Sequence, residues 1–259
     1  MPIIKVNSIS LNVNLKGEGS PLILVHGLGR DGAQYDYLVP ELKKSFKVII
    51  FDCRGHGQSE KPAEYTLQDH IADILGIMDY YKIGVTYLLG VSAGSYIAQG
   101  VAIAAPERIS KLILTVPKSN GLTSSFQRLF DAHEKETMGK NEQERILTVL
   151  KYFTCNPEWI KQQSDIFETK LTHEQFTAAS KALAGFDFRK NLPEVTAKTL
   201  VISGKYDGLN SPEEGKEVAS LIPHSKYVLM QHSGHLPIRE EPMEYLRIIK
   251  EFLLGDKHL

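Results

Sequence analysis

The chain has 259 residues, with 30 Lys and Arg against 31 Asp and Glu and a formal net charge of −1. So even a balance excludes a broad basic surface for nucleic acid or for acidic membrane. The length suits one large α/β domain, or a core carrying an inserted subdomain.

Residues 3–6 and 9–15 alternate in part between apolar and polar, which predicts an antiparallel hairpin at a sheet edge. Gly17-Glu18-Gly19-Ser20-Pro21 predicts a turn. Leu22 to Val25 is continuously apolar, as expected of a strand buried on both faces. It leads into His26-Gly27-Leu28-Gly29-Arg30-Asp31-Gly32, and a helix is expected from about Ala33 to Lys44. Phe46 to Phe51 reads as a second buried strand, ending in the glycine-punctuated loop Asp52-Cys53-Arg54-Gly55-His56-Gly57-Gln58-Ser59. Thr66 to Tyr81 is helix-like, with Thr66 as cap and Asp69 in the capping-box position. Strands follow at Val85 to Leu89 and Leu112 to Val116, with a helix from Ala93 to Ala105 between them.

Past Pro117 the buried strand-like runs vanish. Helix-like stretches near 124–138, 141–154, 157–169 and 172–184 carry Phe126, Leu129, Phe130, Ile146, Val149, Leu150, Phe153, Trp159, Ile160, Ile166, Phe167 and Phe176. Such residues at helical spacing predict the core of a helical insertion. The strand rhythm resumes at Thr199 to Ser203, followed by a helix over Pro212 to Leu221 with Ser211 as its cap. Tyr227 to Met230 is the last predicted strand, and an amphipathic helix over Pro242 to Leu254 closes the chain. The expected organisation is a core of residues 1–117 and 191–259 with a helical cap at 118–190. Strands alternating with helices predict a mostly parallel sheet covered on both faces, with the functional crevice beyond the carboxyl ends of its strands.

Between the strand at Val85–Leu89 and the helix at Ala93 sits Gly90-Val91-Ser92-Ala93-Gly94, a G-x-S-x-G pattern. A serine at such a strand-to-helix turn takes a strained backbone that lifts its hydroxyl clear of the sheet. Neighbours two residues away must then be small, as Gly90 and Gly94 are. The serine also lies at a helix N-terminus, where free N–H groups favour negative charge. These conditions suit an acyl-transfer nucleophile, although a Gly/Ser turn with Ser92 as a plain helix cap has the same local pattern.

A serine nucleophile needs a base and a group to orient that base. Asp207 follows one C-terminal strand, and His232 and His235 follow the next. The chain order is Ser, Asp, His, as in α/β-hydrolases. Asp207 before Gly208 could also be a simple turn former. The loop after Val116 holds no acid before Asp131, so the other usual position for the acid is empty.

With these residues in place the chain resembles α/β-hydrolase-fold proteins with a helical cap, along nearly all its length. Within that family it resembles 3-oxoadipate enol-lactonase-like and small carboxylesterase members. The fold this implies is an eight-stranded, mostly parallel sheet with helices on both faces. The resemblance implies Ser92 as nucleophile, His235 rather than His232 as general base and acid, and Asp207 as its orienter. It implies an oxyanion hole from the backbone N–H groups of Leu28 and Ala93. It further implies a cofactor-independent hydrolase of small esters or lactones. Haloalkane dehalogenases of this fold carry Asp at the elbow, so Ser92 argues against that chemistry and against epoxide hydrolysis. Cleavage of a carbon–carbon bond in ring-fission products remains an alternative. So does a slow-turnover, ligand-sensing role in signalling, with a protein partner bound through the cap. A homodimer is compatible with either role.

His26 and His56 lack metal-ligand spacing, so no metal is expected. Cys53 reads as a small buried residue, and Asp52 and Arg54 as braces for their loop. Cys53 and Cys155 stand far apart, which suits a reducing compartment. The N-terminus lacks a signal-peptide core, and no apolar run reaches the length of a membrane span. A soluble, cytoplasmic protein is therefore expected.

Overall fold

The computed structural model describes residues 2–162 and 169–255. Eight strands form one sheet: β1 (Ile3–Val6), β2 (Ile9–Lys16), β3 (Ser20–Val25), β4 (Phe46–Phe51), β5 (Thr86–Val91), β6 (Ile109–Thr115), β7 (Lys198–Gly204) and β8 (Ser225–Met230). Their spatial order is β1-β2-β4-β3-β5-β6-β7-β8. β1 pairs antiparallel with β2, and β2 antiparallel with β4. Every later pairing is parallel. The mostly parallel eight-stranded sheet expected from the sequence is thus present.

Side chains alternate across the sheet because successive strand residues point to opposite faces. Ile23, Val25, Leu88, Leu112, Leu114 and Val201 enter one apolar layer. Leu22, Leu24, Leu89, Ile113, Leu200 and Ile202 enter the other. Both sets are almost wholly shielded from water. Each such side chain contributes roughly 1.5–3 kcal/mol on burial.

The helices of the first half are α1 (Val39–Leu42), α2 (Leu67–Tyr80) and α3 (Ala93–Ala104). α2 begins with the expected reciprocal capping box between Thr66 and Asp69. The single helix expected at 33–44 is instead a 3-10 turn, Gly32–Tyr35, and the short α1. Pro40 explains the break: it has no N–H to donate to the carbonyl four residues back and its ring crowds that carbonyl, so a helix can start there but not run through.

Between β6 and β7 the helices are α4 (Ser125–Ala132), α5 (Glu134–Thr137), α6 (Glu142–Val149), α7 (Pro157–Lys161) and α8 (His173–Ala182). Leu129, Phe130, Val149, Leu150 and Phe153 form a separate buried cluster there, joined by Leu209 from the loop after β7. Phe126, Ile146 and Trp159 pack against it. The expected helix at 157–169 runs into residues outside the described ones, as do Ile166, Phe167 and the side chain of Ile160. The chain closes with α9 (Pro212–Leu221), α10 (Pro237–Glu240) and α11 (Pro242–Leu254). α10, a single turn, has no counterpart in the sequence reading.

Candidate active site

Ser92 stands between β5 and α3 with φ 54 and ψ −120. The left-handed φ is unusual outside glycine and marks a turn that the surroundings must enforce. Its N–H donates to Thr115 O at 2.9 Å, and its carbonyl accepts the Ser95 N–H at 2.8 Å. A Cβ at position 90 would lie 2.2 Å from Gly94 O, and one at position 94 would lie 2.1 Å from Val25 O. Only glycine fits at either place, as the crowding argument requires. Ser92 makes no side-chain cap bond to its own helix, which leaves its hydroxyl free for another partner.

That partner is His235. Ser92 Oγ and His235 Nε2 lie 2.9 Å apart, and His235 Nδ1 lies 2.8 Å from Asp207 Oδ2. A carboxylate can only accept, so the second bond requires the proton on Nδ1. In the neutral ring Nε2 is then an acceptor, and the Ser92 O–H donates to it. Alcohol, imidazole and carboxylate form one directed chain of hydrogen bonds. His232 is exposed and takes no part in it.

Asp207 is 2% exposed, and its second oxygen is occupied. Oδ1 accepts the N–H groups of Leu209 at 2.9 Å and Asn210 at 3.0 Å. One oxygen of Asp207 thus shapes the turn and the other holds the histidine. Asn210 in turn donates to Tyr96 Oη and to Val116 O, each at 2.7 Å. Val116 has φ 47, a costly conformation for a β-branched residue. Neither Asn210 nor Val116 was singled out by sequence, because their roles depend on contacts between β6, β7 and α3.

The loop after β3 comes close to the same point. A Cβ on Gly27 would lie 3.7 Å from Ser92 Cβ. Leu28 and Ala93 line one small cavity of ≈ 10 Å³ together with His26, Gly27, Cys53, His56, His70, Ile97 and Leu183. Among the described residues no partner takes the N–H of Leu28 or of Ala93. The loop is braced from β4. Asp52 accepts from Gly32 N–H, Asn12 Nδ2 and Gln58 N–H, each at 2.8 Å. Arg54 grips Asp73 with two bonds of 2.6 Å.

Both ring nitrogens of His26 are used, on Gly27 O at 2.8 Å and on the Cys53 N–H at 2.9 Å. Burial pushes the His26 pKa down, and burial followed by the charge of His26 pushes His56 down to about 3. Both are therefore neutral supports near neutral pH. Burial also pushes the Cys53 thiol well up, which removes it as a nucleophile.

The alpha/beta hydrolase fold family matches residues 20–242. The chain belongs to that family. It is 28% identical to a proline iminopeptidase from Heyndrickxia coagulans, over 92% of this chain and 91% of that protein. It is 26% identical to a pimeloyl-[acyl-carrier protein] methyl ester esterase from Photobacterium profundum, over 92% and 96%. Its backbone matches the crystal structure of the enol-lactonase from Burkholderia xenovorans with a TM-score of 0.83 at 25% identity, covering 98% of this chain and all of that one. Among the described residues no helix is long and apolar enough to cross a membrane.

Proposed function

We propose that this protein is a serine hydrolase that cleaves a small carboxylic ester or lactone through an acyl-enzyme on Ser92. The observation that carries this reading is the unbroken chain from Ser92 Oγ through the His235 ring to Asp207, with steps of 2.9 and 2.8 Å. Ser92 Oγ attacks the carbonyl carbon while His235 Nε2 takes its proton. Asp207 holds the ring in the required tautomer and stabilises the positive charge it acquires. The oxyanion accepts from the N–H groups of Leu28 and Ala93, and each such donor is typically worth about 3 kcal/mol in the transition state. His235 then protonates the departing alcohol. The same ring activates a water that releases the acid and frees Ser92. Protons balance within these residues, and no cofactor or metal enters the scheme. Residues 118–190 act as the cap that shapes the acyl pocket.

Relatives that include a methyl ester esterase and an enol-lactonase support an oxygen ester over an amide. The iminopeptidase relative makes the amide the rival outcome. The test is hydrolysis of short p-nitrophenyl esters, lactones and an N-terminal proline amide by the wild type and Ser92→Ala. Ester or lactone turnover should fall at least about 1,000-fold in the variant with the melting temperature unchanged. Equal ester turnover in both proteins would remove Ser92 from the chemistry, and a preference for the proline amide would overturn the ester assignment.

A further inference from the structure

The imidazole of His235 can only point at Ser92 if its own backbone is held, and Gly234 beside it gives that backbone unusual freedom. Three successive amides in this loop are nonetheless all engaged. Glu240, at the end of α10, turns back so that its Oε2 accepts the N–H of Gly234 at 2.7 Å and that of Leu236 at 3.3 Å. The N–H of His235 between them donates to Phe153 O at 2.7 Å.

The other oxygen of Glu240 faces the helical insertion. Oε1 accepts the Cys155 N–H at 2.5 Å. One side chain therefore ties both flanks of His235 to residue 155. The insertion backbone is in direct contact at this point: a Cβ on Gly234 would lie 2.2 Å from Phe153 O. It reaches the loop of the acid too, since a Cβ on Gly208 would lie 2.3 Å from Tyr152 O.

We propose that Glu240 is a positioning residue for His235, locking the peptide planes on either side of it and making its placement depend on the seating of insertion residues 153–155. This rests on the hydrolase reading for its catalytic consequence, but not for its geometry. A carboxylate suits the task because its two oxygens can accept from several N–H groups at once. Glutamine offers an acceptor to one side only, and alanine to neither. Without the lock, Gly234 lets the ring drift, and a displacement of about 1 Å at a reacting group can cost about 100-fold in rate.

The experiment uses the full chain with Glu240→Gln and Glu240→Ala. Three quantities are read: kcat and KM on a p-nitrophenyl ester, the melting temperature, and the low-field proton resonance of His235 Nδ1–H in its bond to Asp207. In E240A, kcat should fall about 100-fold with KM within about threefold, and the resonance should shift or broaden. E240Q should lie between E240A and the wild type. A role in stability alone would lower the melting point and leave kcat and the resonance untouched well below it, and that result overturns the proposal. If E240A does not fold, the isosteric E240Q decides by the same criteria. If the wild type shows the resonance but hydrolyses nothing, the hydrolase reading fails, and the resonance in the variants still decides the role of Glu240.

Discussion

The strain at Ser92 is sustained by backbone crowding on both sides of it. Gly94 sits against Val25 O and His26 O, and Gly90 against Gly94 O. No side chain can rotate away to make room, because every one of those atoms is backbone. Gly94→Ala should therefore destabilise the fold by roughly 3 kcal/mol, read as a lower urea midpoint. Gly84→Ala is the control, since a Cβ there meets nothing within 4 Å, and its midpoint should stay level or rise. Equal effects of the two substitutions would show that the turn is not enforced as described. Gly90 and Gly94 were legible in the pattern because steric exclusion is a property of the motif itself. Glu240 and Asn210 were not, since nothing in spacing or periodicity reports a side chain that turns back onto a neighbouring loop.

At the level of elements, β3, β4 and α2 bring His26, His56 and His70 together behind the Leu28–Ala93 cavity. Burial lowers the pKa of all three from 6.5, His56 to about 3. The unfolded chain therefore binds protons that the folded chain refuses once the pH drops below about 6.5. Stability is fully present above that value and is lost as the pH falls toward the folded values, with a limiting slope of about 1.4 kcal/mol per pH unit and group. Glu240 and Asp73 oppose this, because burial raises both of their pKa values, but they are two groups against three. The urea midpoint should be lower at about pH 5 than at about pH 7, a window above the range of carboxylates with depressed pKa such as Asp31 and Asp187. A flat midpoint across that window would contradict the burial of neutral histidines. The elements themselves were largely readable: the cap at Thr66 and the limits of α9 and α11 coincide with the sequence reading. The helix expected at 33–44 is shorter in the structure, because that stretch contains Pro40, which the backbone cannot accommodate mid-helix.

For the molecule as a whole, the parallel sheet delivers Ser92, Asp207 and His235 from the ends of β5, β7 and β8 to one edge. The strand order was not encoded in any single stretch, but the Ser, Asp, His sequence of loops was enough to locate that edge. The helices between β6 and β7 show in the sequence as a loss of strand rhythm, whereas the contacts of residues 152 and 153 with Gly208 and Gly234 depend on packing that periodicity cannot report. The central claim is that these parts make Ser92 alone, among all the hydroxyls of the chain, a nucleophile. Intact-protein mass spectrometry after exposure to a fluorophosphonate tests this most directly. The wild type should gain one phosphonyl group, mapped by peptide digestion to Ser92, and Ser92→Ala should gain none. An unlabelled wild type, or equal labelling of the variant, would contradict the account.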